Sequence, residues 1–289
     1  MFKKNVYEEY NKLIVNNIKL PLEDNEVPQG ICRVNNTILV SCYMDNHEQS
    51  RVLMLDLDGS RTKTIILNNK AHVGGISYDQ KHNLIFICDT KGKISSYPYH
   101  EFINENYIHQ KKYDVSSNSL GGDLLIEDGN LVCSYLTCYD QKLYVGSFNK
   151  TKNGLIKVYD ILRKEEGITL KYLYEFKVPR KIQGITFSKI NDTPHMILSS
   201  SYGRKNNSKV LIFPISKTNT YLNPTYSFCC PSMLEQISVD NNNDILFLFE
   251  SSSSKYRKTA KTVTDKVTFF NLEKQLKKFI KHIAKIQLY

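Results

Sequence analysis

Hydrophobic residues along the chain come in short runs of about four to eight residues, separated by polar turns. Runs such as TILVS, LIFIC, MILSS and DILFLF are apolar at successive positions rather than at alternate ones, which is typical of strands buried on both faces. No stretch between residues 30 and 260 has the three- and four-residue apolar spacing of an amphipathic helix. The pattern therefore predicts an all-β protein.

One strand–turn–strand unit recurs along the sequence. QGICRVNNTILVSCY aligns with SYLTCYDQKLYVGSF, so that a polar turn, Asn35-Asn36 or Asp140-Gln141, separates two strands and the second strand ends in a small residue and an aromatic. The units start near residues 29, 74, 134, 183 and 235, which makes them 45 to 60 residues long. Repeats of this length that read as short antiparallel strands are typical of β-propeller blades.

Each unit also offers a third strand, and four units offer a fourth. The last unit lacks its fourth strand. We predict that the N-terminal segment 12–20 (KLIVNNIKL) supplies this strand and so closes the ring. We therefore predict a five-bladed propeller over residues 1–272, followed by a basic amphipathic helix over 273–289 that docks on it. Six blades remain possible if residues 115–133 contain another hairpin.

The stretch RVLMLDLDGS offers a different fold, because D-x-D-G-S after an apolar strand can open a phosphatase with Asp56 as its nucleophile. That enzyme class needs a parallel sheet alternating with helices, which the pattern does not predict. Asp56 also falls at the end of a third strand of the repeat. We interpret it as the end of an ordinary strand.

Composition and charge add three expectations. The chain of 289 residues carries a net charge of +10, of which residues 255–289 contribute +8, from ten Lys or Arg against Asp265 and Glu273. Seven scattered cysteines without a C-x-x-C pair favour buried free thiols over a disulfide framework or a zinc site. No signal-peptide pattern opens the chain, so it is either intracellular or the mature form of a secreted protein.

The first strands of propeller blades line the axial channel, so the residues that start them should meet at one mouth. These starting residues are Gln29, Gly74, Ser134, Gln183 and Glu235. His72 precedes Gly74 by two positions and should point the same way. The ring suits a polar ligand, although such groups could also simply satisfy one another.

Two loops after second strands, SSSYGRKNNSK and ESSSSKYRK, each place a Tyr close to an Arg. Tyr202 with Arg204, and Tyr256 with Arg257, would offer an aromatic platform beside a cation, which suits a carboxylate, phosphate or sugar acid. The alternative is that Arg204 pairs with a neighbouring blade and Tyr202 packs between blades.

Glu235 and Glu250 are the carboxylates expected near the channel. Paired carboxylates can act as acid and base in glycoside hydrolysis, and His72 is a further candidate base, but the sequence favours structural carboxylates bonded to Ser or Arg. No metal site and no cofactor are predicted, since the histidines lack ligand spacing and no phosphate-binding loop is present.

The motifs PQGI, HVGGI, YVGSF, QGI, SSSYGR…SK and FESSSSKYR resemble those of largely uncharacterised bacterial propeller proteins, many of them secreted. More distantly, the set is similar to the NHL, gluconolactonase and strictosidine-synthase-like propellers. The resemblance covers about residues 28–272 and implies the fold, not an activity. The lactonases bind a divalent metal through acidic and Asn ligands that face the axis. Glu235 is the one acidic candidate for such a ligand in this sequence, so the metal site is not expected here.

The sequence thus favours a monomeric binding propeller that holds a small polar or anionic ligand, such as a glycan or cell-wall fragment, at the channel mouth. The alternative is a hydrolase or lyase acting on a sugar or lactone-like substrate. Residues 255–289 could make weak contact with an anionic surface. Sequence-specific nucleic-acid binding is not expected, because no recognition motif is present.

Overall fold

In the computed structural model, the part of the chain that is described contains twenty strands, which form five four-stranded antiparallel sheets. The structure describes residues 5–104, 111–114, 133–164, 167–216 and 218–273. In four sheets the strands follow one another in sequence order from the axis outward. The prediction of a five-bladed β-propeller is therefore confirmed.

The first three blades have the following strands. Blade 1 consists of β2 (Glu26–Val34), β3 (Thr37–Met44), β4 (Arg51–Asp56) and β5 (Arg61–Ile66). Blade 2 consists of β6 (Ile76–Asp79), β7 (Leu84–Cys88), β8 (Lys93–Pro98) and β9 (Lys111–Asp114). Blade 3 consists of β10 (Tyr135–Tyr139), β11 (Lys142–Ser147), β12 (Gly154–Lys164) and β13 (Gly167–Val178).

The last two blades complete the ring. Blade 4 consists of β14 (Ile182–Ile190), β15 (Thr193–Ser200), β16 (Ser208–Pro214) and β17 (Tyr226–Cys230). Blade 5 consists of β18 (Leu234–Val239), β19 (Ile245–Phe249), β20 (Lys266–Phe270) and, as its outer strand, the N-terminal β1 (Ile14–Lys19). Within the described ranges, the short helices are α1 (Glu8–Leu13), α2 (Tyr99–Asn104) and α3 (Ser254–Arg257).

The N-terminal strand closes the ring as the sequence predicts. Strand β1 pairs antiparallel with β20, with Asn17 opposite Thr268 and Ile18 opposite Val267. Residues 12 and 13, predicted as part of this strand, instead end α1, whose Tyr10 and Leu13 are buried against blades 4 and 5. The missing outer strand of the last blade is thus supplied from the other end of the chain, which covers a sheet edge.

The hydrophobic core is divided among the five interfaces between neighbouring blades. Each of five buried clusters combines residues of two adjacent blades, from blades 1 and 2 around to blades 5 and 1. Strand β19 (ILFLF) is buried at all five positions, because it has a neighbouring blade on each face. This explains why the apolar runs do not alternate with polar residues.

Several hairpin turns have the chemistry that the repeat predicts. Asp140 and Gln141 both adopt positive φ angles of 48° and 59°, and they join Tyr139 to its cross-strand partner Lys142. Asn35 has φ 54° between the paired residues Val34 and Thr37. A two-residue loop with left-handed backbone matches the twist of the strands that it joins.

Asp56 ends β4 in an antiparallel hairpin, as expected for a strand of the repeat. Its N–H donates to the carbonyl oxygen of Ser60, and Gly59 takes the left-handed φ of 89° that the turn requires. The Asp56 side chain is exposed. A phosphatase nucleophile on a parallel sheet is excluded.

The predicted C-terminal helix 273–289 lies outside the described residues from 274 onward, as does most of the segment 115–133 that could have held a sixth blade. Among the helices that the structure describes, none has the length and apolar character needed to span a membrane.

Candidate functional site

The five inner strands form a ring around the axis. Each of β2, β6, β10, β14 and β18 contacts the inner strand of the blade before it and of the blade after it. The N-terminal halves of these strands therefore lie towards the same end of the channel, which we call the mouth. Of the predicted ring, Gln29, Gln183 and Glu235 lie near the starts of β2, β14 and β18, and Gly74 and Ser134 precede β6 and β10.

Gln236, one residue below the mouth, fills the axis. Its amide oxygen accepts hydrogen bonds from the backbone N–H groups of Ile31 and Ile76, both at 2.9 Å. Its amide nitrogen donates to the carbonyl oxygens of Ile76, at 2.9 Å, and Leu136, at 3.0 Å. One buried side chain from blade 5 thus joins blades 1, 2 and 3 across the axis.

Small residues make room for the Gln236 side chain, which we call the axial plug. A Cβ atom added to Gly30 would stand 2.9 Å from the Gln236 oxygen, and one added to Gly184 would stand 2.8 Å from the Gln236 Cα. A Cβ added to Gly74 would stand 2.2 Å from the backbone oxygen of Ser134. The glycines of the QG and GG motifs are therefore explained by close packing at the axis rather than by ligand binding.

Glu235 and Glu250 lie together above the plug. The amide nitrogen of Gln29 donates to Glu250 Oε1 at 2.8 Å, and that of Gln183 approaches Glu235 Oε1 at 3.5 Å. Burial raises the pKa of Glu250 to about 7, against the opposing effects of the Gln29 hydrogen bond, Lys255, Arg204 and Tyr43. Burial, and then the charge of Glu250, also raise the pKa of Glu235 well above its usual value. The pair therefore retains at least one proton near neutral pH.

A rim of aromatic and cationic side chains surrounds this pair. The Arg204 guanidinium lies 4.8 Å from the centre of the Tyr256 ring, and the Tyr256 hydroxyl lies 3.1 Å from that of Tyr43. Lys255 Nζ lies 5.1 Å from the Tyr43 ring centre and 5.4 Å from that of Tyr256, and it forms an ion pair with Asp45. We call these groups, with Gln29, Gln183, Glu235 and Glu250, the mouth cluster.

His72 joins the rim through Tyr43. The two rings have centroids 4.3 Å apart, so the imidazole is partly covered by Tyr43. Burial, followed by the charge of Lys255, lowers the pKa of His72 below its ordinary value. The side chain is therefore neutral at pH 7, a state in which one ring nitrogen can accept a hydrogen bond.

Tyr202 lies in a second group of similar chemistry. Its ring is stacked against Phe148, with centroids 6.4 Å apart. The Nζ atoms of Lys150 and Lys181 lie 4.8 and 5.4 Å from its centre. The sequence predicted Tyr202 and Arg204 as one platform. In the structure, Tyr202 lies with Phe148 and the two lysines, whereas Arg204 lies on Tyr256 in the mouth cluster.

Arg257 is not brought to the mouth cluster by the described contacts. Its guanidinium donates to Asp265 at 3.3 Å and to the Ser252 carbonyl oxygen at 3.4 Å. Residues 254–257 form the helical turn α3, so consecutive side chains point about 100° apart. Lys255 and Tyr256 therefore face the mouth cluster, whereas Arg257 pairs elsewhere.

The sequence reasoning missed Tyr43, Lys255, Lys150, Lys181 and Phe148. A signal was present for two of them, because Tyr43 and Phe148 occupy the same position of the repeat, the aromatic that ends a second strand. The lysines carried no such signal, since their positions depend on turns whose shape the sequence does not specify.

A large concave surface lies away from the mouth. A groove of about 940 Å³ between blades 3 and 4 is lined by Tyr139, Tyr144, Phe187, Met196 and Tyr221 among others. It lies beside the Asp140-Gln141 turn, at the opposite end of the inner strands, and holds none of the predicted site residues. In the described ranges, no group of three or more His, Cys, Asp or Glu residues could hold a metal ion.

The fold and the mouth cluster define the chain as a five-bladed β-propeller with a polar, charge-bearing channel mouth. No protein-family model matches the chain, and no curated protein is similar to it. Solved structures are similar in fold only, so the resemblance to the lactonase-type propellers stays an expectation.

Three of these structures are distant. Hydrazine synthase of Kuenenia stuttgartiensis matches 78% of this chain at 12% identity with a TM-score of 0.46, and the match spans 56% of that protein's chain. A protein of unknown function from Bacteroides thetaiotaomicron matches 88% of this chain and 72% of its own, at 12% identity and TM-score 0.42. The β-propeller domain of Myceliophteria thermophila Cps50 (Swd1) matches 90% of this chain and 99% of its own, at 8% identity and TM-score 0.46.

Proposed function

We propose that the protein binds a small polar ligand with an anionic group, such as a sugar acid, at the mouth of its axial channel. The observation that supports this most strongly is the convergence of cations, aromatic rings and hydrogen-bonding side chains from blades 1, 4 and 5 on the carboxyl pair of Glu235, which is buried, and Glu250, which is half-buried. Structural filler for a channel needs polar groups, but it does not need a solvent-facing guanidinium above an aromatic ring.

Arg204 and Tyr256 suit the anionic end of the ligand. Arg204 is exposed and stacked on the ring, which leaves the edge of the guanidinium free to donate two parallel hydrogen bonds to a carboxylate. Its described side-chain hydrogen bond, to the Thr259 hydroxyl, is long at 3.3 Å. The aromatic face of Tyr256 can in turn pack against the apolar face of a sugar ring.

The carboxyl pair and the amides suit the hydroxyl groups of the ligand. A carboxyl that keeps its proton near pH 7 donates a hydrogen bond, whereas a carboxylate only accepts. Glu235 and Glu250 therefore present both a donor and acceptors, and Gln29 and Gln183 hold them in place. This arrangement distinguishes a polyhydroxylated ligand from a simple anion.

The Tyr202 group extends the proposed site by a second position that can bind an anionic group of the ligand. Lys150 and Lys181 come from blade 3 and from the turn that enters blade 4, and both lie over one ring. An acidic disaccharide could contact both groups, since Tyr202 and Arg204 are two residues apart in one loop.

Isothermal titration calorimetry with glucuronate and with glucose tests the proposal. We expect glucuronate to bind and glucose to bind at least tenfold more weakly, because only the former can pair with Arg204. Arg204→Ala should weaken glucuronate binding at least tenfold, while Arg257→Ala, which removes a nearby arginine paired with Asp265, should leave it within twofold. Equal effects of the two substitutions, or no binding of either sugar, would contradict the proposal.

Binding should also depend on pH. An anion is repelled by a deprotonated Glu250, so the protonated form binds it better and affinity should rise as the pH falls from 8 to 6. The carboxylate of glucuronate remains ionised in this range. Calorimetry at the two pH values should show affinity three- to tenfold higher at pH 6, and Glu250→Gln should remove the difference.

A hydrolase is the second candidate, because two neighbouring carboxyls with raised pKa values also suit general acid and base roles. Incubation with a nitrophenyl glucuronide separates the two functions. Release of nitrophenol that falls at least a thousandfold in both Glu235→Gln and Glu250→Gln would favour the hydrolase. Binding without release would favour the proposed binding protein.

A further inference from the structure

Cys88 and Cys133 bring their sulfur atoms together at the interface of blades 2 and 3. The two Sγ atoms lie 2.6 Å apart although the residues are 45 positions apart in sequence. Cys88 ends β7, and Cys133 lies two residues before β10. Both are buried free thiols in the cluster that joins these blades.

We propose that Cys88 and Cys133 are a disulfide-forming pair, which links blade 2 to the start of blade 3 when the protein folds under oxidising conditions. Two unbonded sulfur atoms inside a core normally stay farther apart, since dense packing keeps them at van der Waals contact. The proposal does not depend on the ligand. It concerns a covalent modification that the sequence did not predict, since the spacing of the seven cysteines favours free thiols.

The bond would have a structural consequence at the mouth. Cys133 directly precedes Ser134, whose hydroxyl accepts a hydrogen bond from the Phe148 N–H and whose backbone oxygen lies against Gly74. A link from Cys133 to the end of β7 would therefore fix the position at which the chain enters blade 3. It would also add a covalent link between two blades that the Cys138 N–H already joins through its hydrogen bond to the Ser77 hydroxyl.

The chemistry is thiol–disulfide exchange with a small-molecule disulfide such as oxidised glutathione. One cysteine thiolate attacks the oxidant, which releases one glutathione thiolate and leaves a mixed disulfide on the protein. The second cysteine thiolate attacks that protein sulfur and releases the second glutathione thiolate. The two cysteines are oxidised by two electrons, the oxidant is reduced to two thiols, and the cysteine protons pass to solvent and to glutathione.

Burial restricts when this exchange can occur. It raises the pKa of Cys133 well above that of a free thiol, so the reactive thiolate is scarce in the folded protein. An oxidant also has no direct route to two buried sulfurs. We therefore expect the bond to form while blades 2 and 3 assemble, not in the finished fold.

Counting free thiols after refolding in a glutathione redox buffer tests the proposal. The protein is denatured, alkylated and weighed, and its cross-linked peptides are mapped. Of the seven cysteines, five should be alkylated in wild type. Cys88→Ser should show six alkylated cysteines, because its partner is freed, whereas the control Cys42→Ser should show four.

Thermal unfolding gives an independent measurement on the unsubstituted chain. Closing a loop of 45 residues should raise the melting temperature of the oxidised protein above that of the reduced one by about 5–10 °C. Seven alkylated cysteines in the refolded wild type, or a bond mapped to another pair such as Cys229–Cys230, would overturn the proposal, even if Cys88→Ser fails to fold.

Discussion

At the scale of single residues, position rather than residue type determines the charge of the mouth. Glu250 and the exposed Glu23 have the same side chain, but Glu250 lies beside Glu235 under a cover of Tyr43 and Tyr256. Burial favours its neutral form, and nearby cations only partly offset this. The sequence identified both mouth carboxyls by their place in the repeat, but it could not show that they share one buried space.

The first prediction concerns stability at Glu250. Its pKa is raised from 4.5 to about 7 on folding, so its stabilising contribution is complete below about pH 4.5 and is lost as the pH rises through 7. Glu250→Gln should therefore be more stable than wild type at pH 8 by about 1–2 kcal/mol, with no advantage at pH 4.5. Urea unfolding at both pH values measures this, with Glu23→Gln as an exposed control that should change stability little. A variant less stable than wild type at pH 8 would contradict the assignment.

The second prediction concerns the axial plug. Replacing Gln236 with Leu leaves two buried N–H groups and two buried carbonyl oxygens without their partner. The expected loss is about 3–5 kcal/mol in the free energy of unfolding. Gln183→Leu is the matched control, because its amide makes one long contact, and it should cost about 1 kcal/mol or less. Similar losses for the two variants would show that Gln236 does not join the blades.

At the scale of elements, the closure of the ring depends on a strand distant in sequence. Strand β1 pairs with β20 and contributes Ile18 to the cluster between blades 5 and 1, where Val267 and Phe269 also lie. The sequence predicted this strand because the last repeat lacked one. It did not predict the preceding helix α1, since six residues are too few for a recognisable period.

The third prediction tests this closure. Ile18 is 5% exposed and Val15, on the same strand, is 39% exposed. Ile18→Ala should lower the free energy of unfolding by about 2–4 kcal/mol, whereas Val15→Ala should cost under about 0.5 kcal/mol. Chemical denaturation of both variants measures the difference. If both substitutions cost the same small amount, strand β1 does not close the ring in solution.

At the scale of the whole molecule, repetition made the fold predictable. Each unit buries its faces only against its neighbours, so five units of similar pattern imply a ring before any contact is known.

The mouth was predictable to the extent that the repeat places Gln29, Gln183 and Glu235 at equivalent positions. Lys255 and Arg257 show where prediction ends: the single helical turn α3 sends one to Tyr43 and the other to Asp265. Such a turn depends on packing that the local sequence does not encode.

The most direct test of the account is a carbon-13 NMR titration of the glutamate carboxyl groups, with and without glucuronate. We predict that Glu250 titrates near pH 7 and that Glu235 titrates well above its ordinary value. These two signals, unlike that of Glu23, should shift when glucuronate is added. It is contradicted if Glu235 and Glu250 both titrate near pH 4.5, or if neither signal responds to glucuronate.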